Sequence, residues 1–255
     1  MTTLLTSTNL NKTYHIDKNN SHQVLHDVNV HIQPGEFVAV MGPSGSGKST
    51  LLYNLCGMDR MTSGSVTFKK HRLENLSEKE LARIRLDEMG FVFQQIHLLK
   101  NLSVLDNVLI SGFLSKKRPR GESVRRAKSL LHRTGIAELA DRSITQASGG
   151  QLQRVGICRA LINEPEIIFG DEPTGALNSQ ATGEIMDLLT EINRAGTTIL
   201  LVTHDVRVAA RCRRVLLMKD GRLVSEQRIG EAPQDAAAFI AREEALAAWL
   251  FEMGV

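Results

Sequence analysis

Apolar and polar residues alternate in the first thirty-six positions, where "LLTSTNLNKTY" and "VLHDVNVHI" read as short strands split by the polar loop "HIDKNNSH". The turn "QPGE" closes them, and the pattern predicts an antiparallel layer. The period then changes. "FVAVMG" is a short run with no polar face, a buried strand, and "KSTLLYNLCG" has the spacing of a helix that begins inside a glycine-rich loop and stops at Gly57. "GSVTFK" and "GFVFQQ" read as further strands around a helical "SEKELARIRLDEM". From about Leu98 to Asp141 the pattern turns helical, with loops expected at "KKRPRGES" and "TGI", and this block predicts a helical subdomain over about 98–145.

Strands and helices alternate again in "QLQRVGICRALINE", "EIIFGDE", "SQATGEIMDLLTEINRAG", "TTILLVTHD" and "VRVAARC". Such alternation indicates an α/β core with a mainly parallel sheet. "RVLLMKDGRLVSEQRI" predicts a strand pair turning on Asp220 and Gly221. Beyond about residue 230, "QDAAAFIAREEALAAWLFEM" places Phe239, Leu246, Leu250 and Met253 on one face of a C-terminal amphipathic helix, expected over 231–255 and read first as a cover for the core.

Composition adds limits rather than a function. The formal charge of +3 is too small to point to nucleic acid, and 42% hydrophobic with 23% charged residues is ordinary globular usage. Three widely spaced cysteines without a CxxC pair suggest neither a disulfide framework nor a zinc site, which fits a reducing compartment. No window reaches about eighteen apolar residues and the N-terminus has no export-signal pattern, so no membrane crossing is expected. The basic run "KKRPRGESVRRAK" reads first as a solvated face, with contact to lipid headgroups or a membrane protein as the alternative. His15, His22, His26 and His31 lack metal-ligand spacing and are assigned no function.

Chemistry enters with "GPSGSGKS", Gly42 to Ser49, which fits GxxxxGK[ST] between a strand and a helix. By average usage that pattern arises by chance in about one chain in a hundred, and the flanking elements make chance rarer still. Gly42, Gly45 and Gly47 let the backbone curl around phosphate oxygens, with Pro43, Ser44 and Ser46 between them and Thr50 just beyond. Lys48 is expected to reach the β and γ phosphates and Ser49 to hold Mg²⁺ through its hydroxyl. A P-loop NTPase core follows. In "GDEPTGALNS", Asp171 ends an apolar strand and is expected in the Mg²⁺ shell, while Glu172 is expected to polarise the attacking water. Without the phosphate loop the same pair would read as a solvated acidic turn. His204, at the end of "LLVTH", is expected near the γ-phosphate.

"QASGGQLQR" then opens another helix on Ser148, Gly149 and Gly150, a second N-terminal anion site that one nucleotide does not need. With this element the ordered motifs "GPSGSGKS", "FVFQQ", "SGGQ", "IIFGDEPTG" and "LLVTHD" resemble the ATP-binding subunits of ABC transporters over residues 1 to about 230. The resemblance implies that Tyr14 stacks on adenine and that Gln94 senses Mg²⁺ and links the site to a permease. It also implies that Ser148, Gly149, Gly150 and Gln151 face the ATP held by a second copy, so that two ATPs lie in a homodimer. Ala147 departs from the leucine usual in the family, which puts the anchoring of this helix in doubt and leaves Ser148 and both glycines intact. Asn178 stands where most of the family has aspartate; dimer contact is expected to persist with altered communication between sites.

Within the family, "LENLSEKELARIRLDEMGFVFQQIHLL" and "GDEPTG" resemble the ATPases of macrolide exporters, lipoprotein-release systems and bacitracin-type resistance transporters, and "GALNS" with the C-terminal helix is nearest the antimicrobial-peptide resistance branch. The expected function is ATP binding and hydrolysis at the cytoplasmic face of a membrane, coupled to a permease. Lipoprotein release or drug export remains open beside it. A soluble regulatory ABC ATPase is disfavoured, because there is one phosphate loop and no sustained heptad pattern. A sensor without turnover would lack Glu172.

Overall fold

The computed structural model describes residues 3–15, 17 and 20–255. Part of the loop expected at "HIDKNNSH", namely Ile16, Lys18 and Asn19, lies outside the described residues. The chain divides into two compact units, residues 1–77 with 198–255, and residues 78–197.

The first unit contains the expected antiparallel layer. Strands β1 (Leu5–His15), β2 (Ser21–Ile32), β4 (Ser63–Phe68) and β5 (His71–Arg72) form a sheet in the order β2-β1-β4-β5. Asn9 and Asp27 have positive φ, 46° and 49°, near the places where the β1–β2 register shifts. The "QPGE" turn is closed by the Glu36 N–H donating to the Gln33 carbonyl at 3.2 Å.

Strands β3 (Phe37–Met41), β8 (Thr198–Val202) and β9 (Arg214–Lys219) run parallel with β3 in the middle, and β10 (Arg222–Arg228) pairs antiparallel with β9. Every residue of β3 and β8 is buried, as strands covered on both faces must be. Asp220 and Gly221, with φ of 47° and 74°, make the expected β9–β10 turn; two successive positive φ values match the twist of a tight hairpin. Helix α1 (Lys48–Leu55) follows β3, and Gly57 ends it at φ 67°, its N–H donating to the Asn54 carbonyl. Helix α7 (Val206–Ala210) follows β8 and packs against α8 (Ala236–Glu252).

On α8 only part of the expected face is covered. Leu246 and Leu250 are buried, Phe239 and Met253 are half-buried, and Phe251 is 82% exposed. Arg242 holds the helix in place by donating to the carbonyls of Ile229, Cys212, Gly230 and Glu231.

The second unit pairs β6 (Met89–Phe93) parallel with β7 (Ile167–Asp171) and surrounds them with helices. These are α2 (Glu78–Glu88), α3 (Val104–Ser115), α4 (Arg120–Arg133), α5 (Gly149–Leu161) and α6 (Ser179–Arg194). Val104, Val108, Leu130, Leu131, Ile136, Val155 and Cys158 pack as one apolar cluster, with Ala147 at its edge. The loop expected at "KKRPRGES" is shorter than the sequence suggested. Helix α4 begins at Arg120 directly after Pro119, which stands in the cap position with its ring fixing φ at −56° and an extended ψ of 147°. The architecture is the expected α/β one, with an antiparallel N-terminal layer. No helix among the described residues is long and apolar enough to cross a membrane.

Candidate functional site

In the first unit, Val40 of β3 sits opposite Val202 of β8 in a parallel register. Two residues beyond each, Gly42 and His204 therefore emerge at the same carboxyl edge, the position where parallel sheets bind ligands. The loop between Gly42 and Gly47 is forced into shape by its neighbours. A Cβ on Gly42 (φ 149°) would stand 1.9 Å from the Met218 carbonyl oxygen, and one on Gly47 (φ 94°) would press on Leu25 and Met218 at 3.1 Å. The Gly221 N–H donates to the Ser46 carbonyl at 3.1 Å, so the β9–β10 turn backs the loop. Pro43, Ser44 and Gly45 face outward, and Gly45 has open space around it.

Lys48 Nζ donates to the carbonyls of Gly42 and Pro43, both at 2.8 Å, placing its ammonium over the mouth of the loop. Ser49 and Thr50 occupy the first turn of α1, and the positive dipole end of a helix favours an anion. His204 is exposed, followed by Asp205, which caps α7 by accepting from the Arg207 N–H.

Tyr14 lies near the end of β1 and is 40% exposed. Its hydroxyl donates to Asp59 Oδ2 at 2.6 Å. Lys12 Nζ, two residues earlier on the same face, donates to Asp59 Oδ1 at 2.6 Å and to the Arg60 carbonyl at 2.7 Å, and sits 4.6 Å from the Tyr14 ring centre. Burial pushes the Tyr14 phenol up, and the Asp59 bond and charge add to it. Burial also pushes the Asp59 carboxyl up, but the bonds from Lys12 and Tyr14 with the Lys12 charge outweigh it, and the group lies below the ordinary aspartate value.

In the second unit, Phe93 pairs with Asp171, so Gln94 and Glu172 leave the β6–β7 pair at its carboxyl edge together. The Gln94 N–H donates to the Asp171 carbonyl at 2.9 Å. Its side chain lies against Gly175, where a Cβ would meet Nε2 at 3.0 Å. Glu172 has φ 48°, a left-handed conformation, and its carbonyl accepts from the Gly175 N–H. The oxygen donors of Ser49, Gln94 and Asp171 are of the chemistry a magnesium ion takes.

Ser148 caps α5, accepting from the Gln151 N–H at 3.3 Å, while Gln151 Oε1 accepts from the Ser148 N–H at 2.8 Å. This reciprocal box fixes the helix start. Asn178 caps α6 by accepting from the Ala181 N–H at 2.9 Å. Both helix starts open on one cavity of about 470 Å³, lined by Ser148, Gly149, Gly150, Gln151, Asn178 and Arg154 among others. Arg154 donates to the Thr134 carbonyl (2.6 Å) and to Glu184 Oε2 (2.7 Å), which ties α5 to the end of α4 and to α6.

A phosphate loop at a parallel sheet edge, and a second anion-facing helix start in the other unit, are the parts of an ATP-binding cassette. Residues 25–175 match the ABC transporter family. The chain belongs to that family. A macrolide export ATP-binding/permease protein, MacB of Sodalis glossinidius, is 45% identical over 82% of this chain, which spans only 32% of that relative's length. The bacitracin export ATP-binding protein BceA of Halalkalibacterium halodurans is 39% identical over 89% of this chain and 90% of its own. The dimeric structure of MJ0796, a bacterial ABC transporter cassette, superposes with a TM-score of 0.82 at 39% identity, covering 88% of this chain and 98% of that one. A second structure of MJ0796 is a post-hydrolysis dimer bound to ADP and phosphate (TM-score 0.79, 37% identity, 88% and 98% covered). What this chain carries of the family is its ATPase cassette.

Sequence reasoning named Tyr14, Gln94 and the capped helix start, but missed Lys12, Asp59, Arg154 and Glu184. Lys12 had a signal, since residues two apart on a strand share a face. Asp59 had none, being 45 positions from Tyr14.

Proposed function

We propose that this ABC ATPase is the motor subunit of a transporter: two copies close around two ATPs, hydrolyse them, and pass the movement to a membrane permease. Lys48 and the loop N–H groups hold the phosphates, and Tyr14 supports the adenine. Ser49, Asp171 and Gln94 hold the Mg²⁺ that arrives with ATP and screens its phosphate charge. Glu172 takes a proton from the attacking water as the oxygen forms its bond to the γ-phosphorus and the β–γ bridge breaks, while His204 hydrogen-bonds the departing phosphoryl group.

The observation that carries the dimer is the cavity formed by the starts of α5 and α6. One nucleotide needs one phosphate loop, and a second anion-facing cavity in the same chain is accounted for by the ATP of another copy. The "GALNS" segment and the likeness to a bacitracin export ATP-binding protein favour antimicrobial-peptide resistance, with the chain held at the cytoplasmic face through its permease. Macrolide export and lipoprotein release would use the same ATPase cycle.

Glu172→Gln is the test. ATP binding and ATP-driven dimerisation, followed by calorimetry and sedimentation, are expected to persist while turnover falls by about 10²–10⁴-fold. Unchanged hydrolysis would remove Glu172 as the base. Copurification from native membranes tests the coupling, and recovery of the chain without any membrane protein would count against it.

A further inference from the structure

The reading of Tyr14 as a support for adenine leaves open what holds its ring. A tyrosine near a strand end, 40% exposed, would ordinarily sample several orientations, and a freely moving ring would have to be ordered by each incoming nucleotide. Here the ring is held from two directions. Its hydroxyl bonds to Asp59 Oδ2 at 2.6 Å. The Lys12 ammonium lies 4.6 Å from the ring centre. Lys12 is itself fixed, because a cation only 8% exposed must be paired, and it is bonded to both Asp59 Oδ1 and the Arg60 carbonyl.

We infer that Lys12 and Asp59 are positioning residues for the nucleotide base: they cover one face of the Tyr14 ring and fix its hydroxyl, so that the opposite face is presented to adenine beside the phosphate loop. This rests on Tyr14 stacking with the base. Lys12 touches no nucleotide in this arrangement and acts through the ring. Asp59 links the two, one carboxylate oxygen to each, so loss of its charge releases both holds together.

The test compares Mg·ATP with Mg·tripolyphosphate, which has the phosphates and no base, by calorimetry on the full chain. Tyr14→Ala is expected to weaken ATP binding about tenfold, within the range of aromatic–base stacking, and to leave tripolyphosphate unchanged. Asp59→Asn and Lys12→Met are each expected to weaken ATP about three- to tenfold with tripolyphosphate unchanged. Tyr14→Phe, which keeps the ring and the Lys12 contact and loses only the hydroxyl bond, should fall between the unchanged protein and Asp59→Asn. In a Tyr14→Ala background, Asp59→Asn should add no further loss. An Asp59→Asn variant that binds ATP normally overturns the inference. So does one that loses tripolyphosphate equally, and so does an equal loss with Tyr14 absent. Should Tyr14→Ala itself bind ATP normally, the stacking reading fails first, and the failure is distinct from the others.

Discussion

Arg154 offers a clean perturbation because its two bonds differ in exposure. Its Nη1 donates to the carbonyl of Thr134, a residue 2% exposed at the end of α4, and its Nη2 reaches Glu184, whose side chain is 48% exposed. A charged donor on a buried carbonyl contributes about 1.5–3 kcal/mol, whereas an ion pair open to solvent is screened and contributes little. Arg154→Met is therefore expected to lower the thermal midpoint by roughly 3–12 °C, taking about 2–4 °C for each kcal/mol in a chain of this size. Glu184→Gln should shift it barely at all, although Arg154 and Gln180 hold the Glu184 carboxyl below the ordinary glutamate range. Both variants would be measured by scanning calorimetry, alone and combined. If Glu184→Gln costs as much as Arg154→Met, the ion pair and not the carbonyl bond holds α5 to its neighbours, and the reasoning from exposure is wrong.

Two further outcomes follow from the same geometry. Asn178→Ala should cost about 1 kcal/mol by removing the cap of α6, while Asn178→Asp keeps the cap; if the aspartate leaves both the hydrolysis rate and its dependence on ATP concentration unchanged, Asn178 does not tune communication between sites. Burial pushes the Cys158 thiol up from 9.0 to about 11, so the unfolded chain releases this proton first as pH rises. The stabilisation is complete below pH 9 and lost by about pH 11, a decline of about 2.7 kcal/mol from two units at about 1.36 each. Denaturation curves of Cys158→Ala should lack that decline, and parallel curves for the two proteins would refute it.

What was legible in the sequence was what local chemistry determines. "FVAVMG" can only be a covered strand, Asp220 and Gly221 can both take positive φ, and Ser148 with Gln151 three residues on specifies a helix start. The start of α4 differs from the sequence reading because glycine, proline and charge together resemble a loop, whereas Pro119 lies just outside the helix, as its cap, and Arg120, Gly121 and Glu122 form its first turn. The incomplete face of α8 has another cause. Periodicity says which residues share a side, not how far the neighbouring surface extends, and Leu246 and Leu250 are covered while Phe251 is not. The supports of the candidate site, Asp59 under Tyr14 and Met218 behind Gly42, come from distant segments and leave no local pattern.

Glu172 shows how local legibility and strain can meet at one residue. The strand ladder ends at Asp171, whose carbonyl is taken by Gln94, and the next residue adopts φ 48° although it is not glycine and precedes Pro173. A left-handed side-chain-bearing residue costs on the order of 1–2 kcal/mol, and a following proline restricts it further. Glycine would adopt this φ without that cost, and the Gly175 N–H that closes the turn would keep its acceptor, the carbonyl of residue 172. We propose that the strained backbone serves the direction it gives the Glu172 side chain, as expected where function selects the residue.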